Sequence, residues 1–186
     1  MLLRGLRRGE ACGLRWSDIA LTTGHATIFQ TVLQYGGRIV IDTPKSRAGK
    51  RVVSLDAETV RLLKAHKKAQ LRARLAAGDG YEDNDLVFPR RNGQVPSPDW
   101  VSEQFRVIRK AAGLPAIRLH EARHTAATLG LEAGLDVKVV SVQLGHSTTT
   151  ITRDLYQHVR QAVLDDAAEK VVALIPERKT PEEATS

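Results

Sequence analysis

Aromatic side chains are scarce in this 186-residue chain, at 4% of the sequence, so any core must be built on Leu, Val, Ile and Ala. There is one cysteine, Cys12. A single thiol excludes a disulfide framework and a cysteine-based metal site, and its expected role is that of a small buried apolar residue. No apolar run approaches the roughly 18 residues that a membrane-crossing helix needs. The opening MLLRGLRRGE is broken by Arg4, Arg7 and Arg8, which leaves no apolar stretch of the kind a secretory leader carries. A cytoplasmic protein without membrane association is the expectation. No internal repeat and no Pro- or Gly-rich linker divides the chain, so its length is read as one domain.

What is abundant is positive charge, and it is unevenly placed. The formal net charge is +7. Residues 1–51 carry nine Lys or Arg against Glu10, Asp18 and Asp42, whereas the remainder carries 19 against 18 acidic residues. A basic block beside a balanced remainder suits a polyanionic partner, although charge alone fits a basic soluble protein equally well.

Periodicity changes along the chain. A helix is expected from Arg7 to Arg15. ATIFQTVLQY and RIVIDT flank Gly36-Gly37, a hairpin turn, and RVVSL follows the polar loop PKSRAGK as a third strand. These predict a small antiparallel sheet of three adjacent strands. Asp56 is placed to cap a helix running to about Ala77, with Val60, Leu63, Leu71 and Leu75 as its apolar stripe and Gly78 as its stop. Asp79 to Gln94 reads as loop, with Leu86, Val87 and Phe88 docked into the core. Ser97 opens another helix, and further helices are expected at about 120–133, 136–144, 148–157 and 160–174. The fold class is therefore α+β, mainly α-helical, with a small three-stranded antiparallel sheet.

The residues with chemistry cluster late. His120 and Arg123 form a His-x-x-Arg, His146 follows 26 residues after His120, and Tyr156 lies ten residues beyond that. A phosphodiester transesterification needs a cation for the phosphate, groups that move protons and a hydroxyl that attacks, and these residues supply all three. On a helical wheel Arg123 and His124 fall within about 60° of His120, opposite Ala122, Ala126, Leu129 and Ala133. Taken singly, each has a plainer role: a solvated face, a helix C-cap for His146, a half-buried Tyr156. His25, His66 and His158 have no partner that the sequence names. At the front, Arg7 precedes Glu10 by three residues, so the carboxylate can fix the guanidinium across one helical turn.

A competitor is written into the same segment. His120-Glu121-Ala122-Arg123-His124 matches H-E-x-x-H, in which two His bind zinc and the Glu acts as base. No third ligand is marked downstream beyond the unremarkable Glu132 and Asp136, and Arg123 among the ligands would oppose a dication. No metal is therefore expected.

The pattern as a whole resembles the catalytic domain of the tyrosine recombinases, the phage integrase family. GLRRGEACGLRWSDI is similar to the family's first box, which implies a catalytic Arg7 supported by Glu10. HEARHTAATLGLEAGLDVKVVSVQLGHSTTTITRDLYQHV is similar to the second, which implies catalytic roles for His120, Arg123, His146 and Tyr156. The family carries a catalytic Lys on a hairpin between the boxes. TPKSRAGKRVVSL resembles that element, with Lys45 the better fit and Lys50 the alternative. The second box most often reads H-D-L-R-H. Here Glu121 and Ala122 replace Asp and Leu, and Ala122 is expected on the buried face with looser packing.

The resemblance covers about residues 5–172. It implies a catalytic domain over 1–174, truncated at its N-terminal edge because Met1 lies four residues before the first box, and a disordered tail over 175–186. The implied activity is site-specific recombination of double-stranded DNA through a 3′-phosphotyrosine, without a cofactor, and with self-association on DNA into a synaptic tetramer. Arg38, Arg47, Lys50 and Arg51 are expected to grip backbone phosphates, contacts that position a duplex without reading its sequence. The rival readings are a non-catalytic DNA-binding remnant of an integrase and, more remotely, the zinc hydrolase. A type IB topoisomerase shares the chemistry, but the L-G-H box with Tyr ten residues on is more like the integrases.

Overall fold

The computed structural model describes residues 4–43 and 50–146. The expected helices at 148–157 and 160–174, and the tail, lie outside the described residues.

A short helix α1 (Arg8–Gly13) opens the fold, two residues shorter at its C-terminal end than the sequence suggests. It starts where it does because the Glu10 carboxylate accepts from the Arg7 backbone N–H at 2.8 Å, satisfying one of the donors a helix start leaves open. Strands β1 (Ile19–Ala20), β2 (His25–Ile28), β3 (Thr31–Tyr35), β4 (Arg38–Asp42) and β5 (Arg51–Ser54) follow. They form two units. β1, β2 and β5 make a three-stranded antiparallel sheet, and β3 with β4 makes a separate hairpin.

This corrects the sequence reading of three adjacent strands. ATIFQTVLQY is not one strand but two, divided at Phe29-Gln30. There the Gln30 side chain turns back to donate to the Gly13 carbonyl at 2.8 Å, and the chain leaves one sheet for the other. Among the described residues RIVIDT pairs with β3 alone. The hairpin turn is as expected. Gly36 and Gly37 have φ of 53° and 82°, and a two-residue turn with both central residues at positive φ matches the twist of the paired strands.

Helix α2 (Ala57–Ala77) begins at Asp56, whose carboxylate accepts from the Thr59 N–H at 2.9 Å, and stops at Gly78. Its apolar stripe is weaker than expected. Leu63 is buried, but Leu71 and Leu75 are exposed. Polar bridges hold the helix instead. Gln70 accepts from Trp16 Nε1 at 2.7 Å and donates to the Leu86 carbonyl at 2.8 Å. His66, which has no partner by sequence, lies 2.6 Å from the Val87 carbonyl and stacks on Phe88.

Helix α3 (Pro98–Ala111) is capped by Ser97, with Pro98 at its first position. Helix α4 (Leu119–Glu132) is capped by Glu121, which accepts from the Arg118 N–H at 2.6 Å. Helix α5 (Val137–Leu144) runs from Asp136 to Gly145, whose φ of 67° ends it in the left-handed region.

The core is aliphatic, as the shortage of aromatics requires. Leu14, Ile19, Ala26, Ile28, Val53, Leu63 and Val87 pack around the sheet, and Ala127, Leu131, Val140 and Leu144 pack between α4 and α5. Cys12 is fully buried, and burial pushes its thiol up to about 12.

Helix α1 lies directly against β3. A methyl group built on Gly9 would sit 2.4 Å from the Val32 carbonyl oxygen and 2.6 Å from Thr31 Oγ1. Backbone cannot yield as a flexible side chain does, so Gly9→Ala is expected to cost about 1–3 kcal/mol by overpacking. Gly80→Ala, with nothing within 4 Å, is the control expected to be near neutral in chemical denaturation. An unchanged midpoint for Gly9→Ala would mean that α1 is not seated on β3 as described.

Candidate active site

The last carbonyls of a helix have no partner within the helix. At the end of α5 three successive ones, from Gln143, Leu144 and Gly145, each accept from a different arginine. Arg51 Nε donates to Gln143 at 2.8 Å, Arg123 Nη2 to Leu144 at 2.6 Å and Arg7 Nη2 to Gly145 at 2.6 Å. Arg123 Nη1 also donates to the Gly5 carbonyl. Three segments far apart in sequence are thereby joined at one helix end, immediately before His146. The cations also face the negative pole of the helix.

Glu10 organises two of these arginines, Arg7 and Arg51, from the front of the chain. It is only 3% exposed and receives Arg51 at both oxygens, at 2.8 and 2.9 Å, as well as Arg7 Nη1 at 2.8 Å. Burial would raise its carboxyl, but hydrogen bonds and charge from Arg51, with help from Arg7, hold it below the ordinary carboxylate range. The Arg7–Glu10 contact expected from their spacing is thus present, and it is half of a larger network. Two guanidinium groups, those of Arg7 and Arg51, meet one carboxylate, and with Arg123 beside them the cluster is cationic and suited to an anion such as a phosphate.

Arg123 departs from the helical-wheel expectation. It is not on a solvated face with His120 and His124 but is 5% exposed. The buried side of α4 runs through Leu119, Ala122, Arg123, Ala127 and Leu131, while Leu129 is exposed. The helix is rolled toward Arg123 because carbonyls of Gly5 and Leu144 await its guanidinium. Ala122 is buried, as expected. Burial and the nearby Arg7 bring Arg123 down to about 10, which leaves it charged at neutral pH.

Two of the imidazoles, those of His146 and His120, bind a proton more weakly than a free imidazole. Burial, then Arg123 and Arg7, push His146 down to about 4, and burial with His124 and Arg123 also lowers His120. The rings of His120 and His124 meet edge to face with centroids 4.8 Å apart. A titration of His146 by NMR in the free protein is expected to give an apparent value of about 4. The folded imidazole binds its proton more weakly than the unfolded one, with its ordinary value of about 6.5. The residue therefore withdraws stability as pH falls between these two values. An anion bound between Arg7 and Arg123 should raise it. A free-protein value of 6 or more would mean the ring is solvated and the cluster open.

The H-E-x-x-H reading fares poorly. Glu121, its required base, serves as the cap of α4 and is held by Arg118 at the backbone and at Nε, 2.9 Å away. Among the described residues no group of three or more His, Cys, Asp and Glu could hold a metal.

Beside the cluster, α1, α3 and α4 border a cavity of about 640 Å³. Arg7, Arg106, Arg109, Arg118, Arg123 and His120 are among its walls. Of the residues expected to grip phosphates, Arg38 and Lys50 are exposed, and the Lys50 ammonium sits 5.0 Å from the Phe29 ring centre. Arg51 is not at the surface. It is 6% exposed and faces inward, because Glu10 and Gln143 satisfy its guanidinium there. That inward role was missed by sequence reasoning. The signal was available in the alternation of RVVS, which puts Arg51 on the same face as the buried Val53. Lys45, Arg47 and Tyr156 lie outside the described residues.

Comparison with known proteins gives a consistent result. The profile of the phage integrase family matches residues 1–162. The chain is 36% identical over 136 residues to an integrase of Saccharopolyspora erythraea, covering 73% of this chain and 31% of that protein. It is 31% identical over 167 residues to a tyrosine recombinase XerC-like protein of Caldanaerobacter subterraneus subsp. tengcongensis, covering 83% of this chain and 43% of that protein. The chain thus spans less than half the length of these relatives. Among solved structures, the Tn1549 transposon integrase in complex with transposon right end DNA matches with a TM-score of 0.71 at 23% identity. That match covers 90% of this chain and 56% of the other, and it shows a shared fold.

Proposed function

The chain belongs to the phage integrase family, and on that footing we propose that it is a tyrosine-type DNA recombinase, cleaving and rejoining double-stranded DNA through a 3′-phosphotyrosine. The observation that carries this reading is the meeting of Arg7 and Arg123 on adjacent carbonyls just before His146.

In the proposed reaction the Tyr156 hydroxyl attacks a phosphodiester, forming a bond from its oxygen to phosphorus while the bond to the 5′-oxygen breaks. His120 takes the tyrosine proton as general base. Tyrosine needs that help because its ordinary pKa is about 10. Lys45, or Lys50 in its place, protonates the leaving 5′-oxygen. Charge gathers on the non-bridging oxygens, where Arg7 and Arg123 donate, and the neutral His146 adds a hydrogen bond. The 5′-hydroxyl of a second strand reverses the sequence of events, so bond energy is retained in the covalent intermediate and no nucleotide cofactor is needed.

Arg38, Lys50 and Arg47 would hold flanking phosphates, and strand exchange would bring several copies together on DNA. No helix among the described residues is long and apolar enough to cross a membrane, and the proposed site of action is cytoplasmic DNA.

Nicked duplexes carrying the attachment-like sequence that flanks the gene test the reading. A denaturation-resistant protein–DNA adduct is expected from the full chain and not from Tyr156→Phe. Salt-sensitive binding without any adduct would overturn it in favour of a DNA-binding module.

A further inference from the structure

We propose that Arg51 is a positioning residue of the phosphate site, locking Glu10 to the end of α5 so that Arg7, Arg123 and His146 are presented to one anion. This deepens the recombinase reading and rests on it.

Arg51 is the first residue of β5, directly after Lys50, and it faces the interior. Its two terminal nitrogens take both oxygens of Glu10, and its Nε takes the Gln143 carbonyl. All three donors belong to one planar guanidinium, spread over three nitrogens, an arrangement that an ammonium group cannot reproduce.

Each tie acts on a neighbour that faces the proposed substrate. Glu10 is the carboxylate that fixes Arg7 through Nη1 and the backbone N–H. Gln143 immediately precedes Leu144 and Gly145, the carbonyls on which Arg123 and Arg7 rest. The His146 N–H in turn donates to Ser141, closing the end of α5. If Gln143 is released, the two following carbonyls shift with it, and so do the guanidinium groups bonded to them. Arg51 therefore acts through Arg7, Arg123 and His146. This separates it from the exposed Arg38 and Lys50, whose effect would be on grip.

The experiment compares Arg51→Lys with the unaltered full chain on nicked attachment-site duplex. Cleavage at saturating DNA is expected to fall about 10- to 100-fold, the penalty for slight misplacement of reacting groups. The Kd for DNA should stay within about twofold and its salt dependence should not change, since no phosphate contact is lost. Amide exchange at Gly145 and His146 is expected to quicken about tenfold, reporting a loosened helix end. A weaker Kd with a salt slope reduced by about one, and unimpaired cleavage at saturation, would overturn the proposal and make Arg51 a phosphate contact. Unchanged cleavage and exchange would overturn it too.

Should Arg51→Lys fold poorly, the double variant Glu10→Gln with Arg51→Met removes both buried charges together, a change such pairs commonly tolerate. It is expected to fold and still cleave slowly, and cleavage at the unaltered rate would overturn the proposal. If the unaltered chain forms no adduct, the recombinase reading fails, while the exchange comparison still decides whether Arg51 holds the helix end.

Discussion

Glu10→Ala is expected to be the most damaging single substitution to stability, costing about 3–5 kcal/mol. Glu10 receives two bonds from Arg51 and one from Arg7, and caps α1 at the Arg7 N–H. Its removal strands Arg51 in the interior as a charge without a carboxylate, and an unpaired buried ion is far costlier than a pair is favourable. Most domains are stable by about 5–15 kcal/mol, so a loss of this size takes a large share. Urea denaturation at pH 7 measures it.

The same residue sets an acid limb. Its carboxyl is held below the unfolded value, so its stabilisation is complete above that value and declines as pH falls through the folded one. The stability of Glu10→Ala should therefore fall less steeply with acid than that of the unaltered chain. A loss under about 1 kcal/mol, the range of an exposed ion pair, would show that the Glu10–Arg51 contact is solvated.

The largest expected effect on chemistry is at Arg123. Arg123→Lys is expected to slow single-turnover cleavage by roughly 10²–10³-fold, the usual consequence of losing one donor to a developing negative charge. The ammonium keeps the charge, but its single nitrogen cannot stand at both the Nη1 and Nη2 positions from which the Gly5 and Leu144 carbonyls are held, so the planar fork that faces the phosphate is lost. Arg7→Lys should slow cleavage comparably with little change in stability, because the Arg7 side chain is half exposed and its ion pair with Glu10 is secondary to that of Arg51. Cleavage within about threefold of the unaltered rate in both variants would place the transition-state charge elsewhere.

Local chemistry made much of this fold readable in the sequence. Asp56 and Ser97 mark helix starts because their side-chain oxygens satisfy open N–H groups nearby, and Gly36-Gly37 marks its turn because both need positive φ. The contact between Arg7 and Glu10 is also local, across three residues.

What escaped was set by partners distant along the chain. Arg123 turns inward for carbonyls of Gly5 and Leu144, and no wheel drawn on α4 alone contains them. Arg51 finds Glu10 across 41 residues and Gln143 across 92. The two-sheet split at Phe29-Gln30 depends on where Gly13 lies. Leu71 and Leu75 read as core by period, yet α2 extends past the sheet that buries Leu63. In each case the residue type was informative, and the direction of the side chain was decided by tertiary structure.

The attachment point of the DNA is the most direct thing to measure. The full chain is incubated with nicked attachment-site duplex, the product is denatured and digested with nuclease and protease, and the nucleotide-bearing peptide is sequenced by mass spectrometry. The expected result is a 3′-phosphonucleotide on Tyr156. Attachment at Tyr35, Tyr81 or any serine, or DNA that is bound but never joined to protein, would contradict the proposal that Arg7, Arg123 and His146 serve a tyrosine nucleophile.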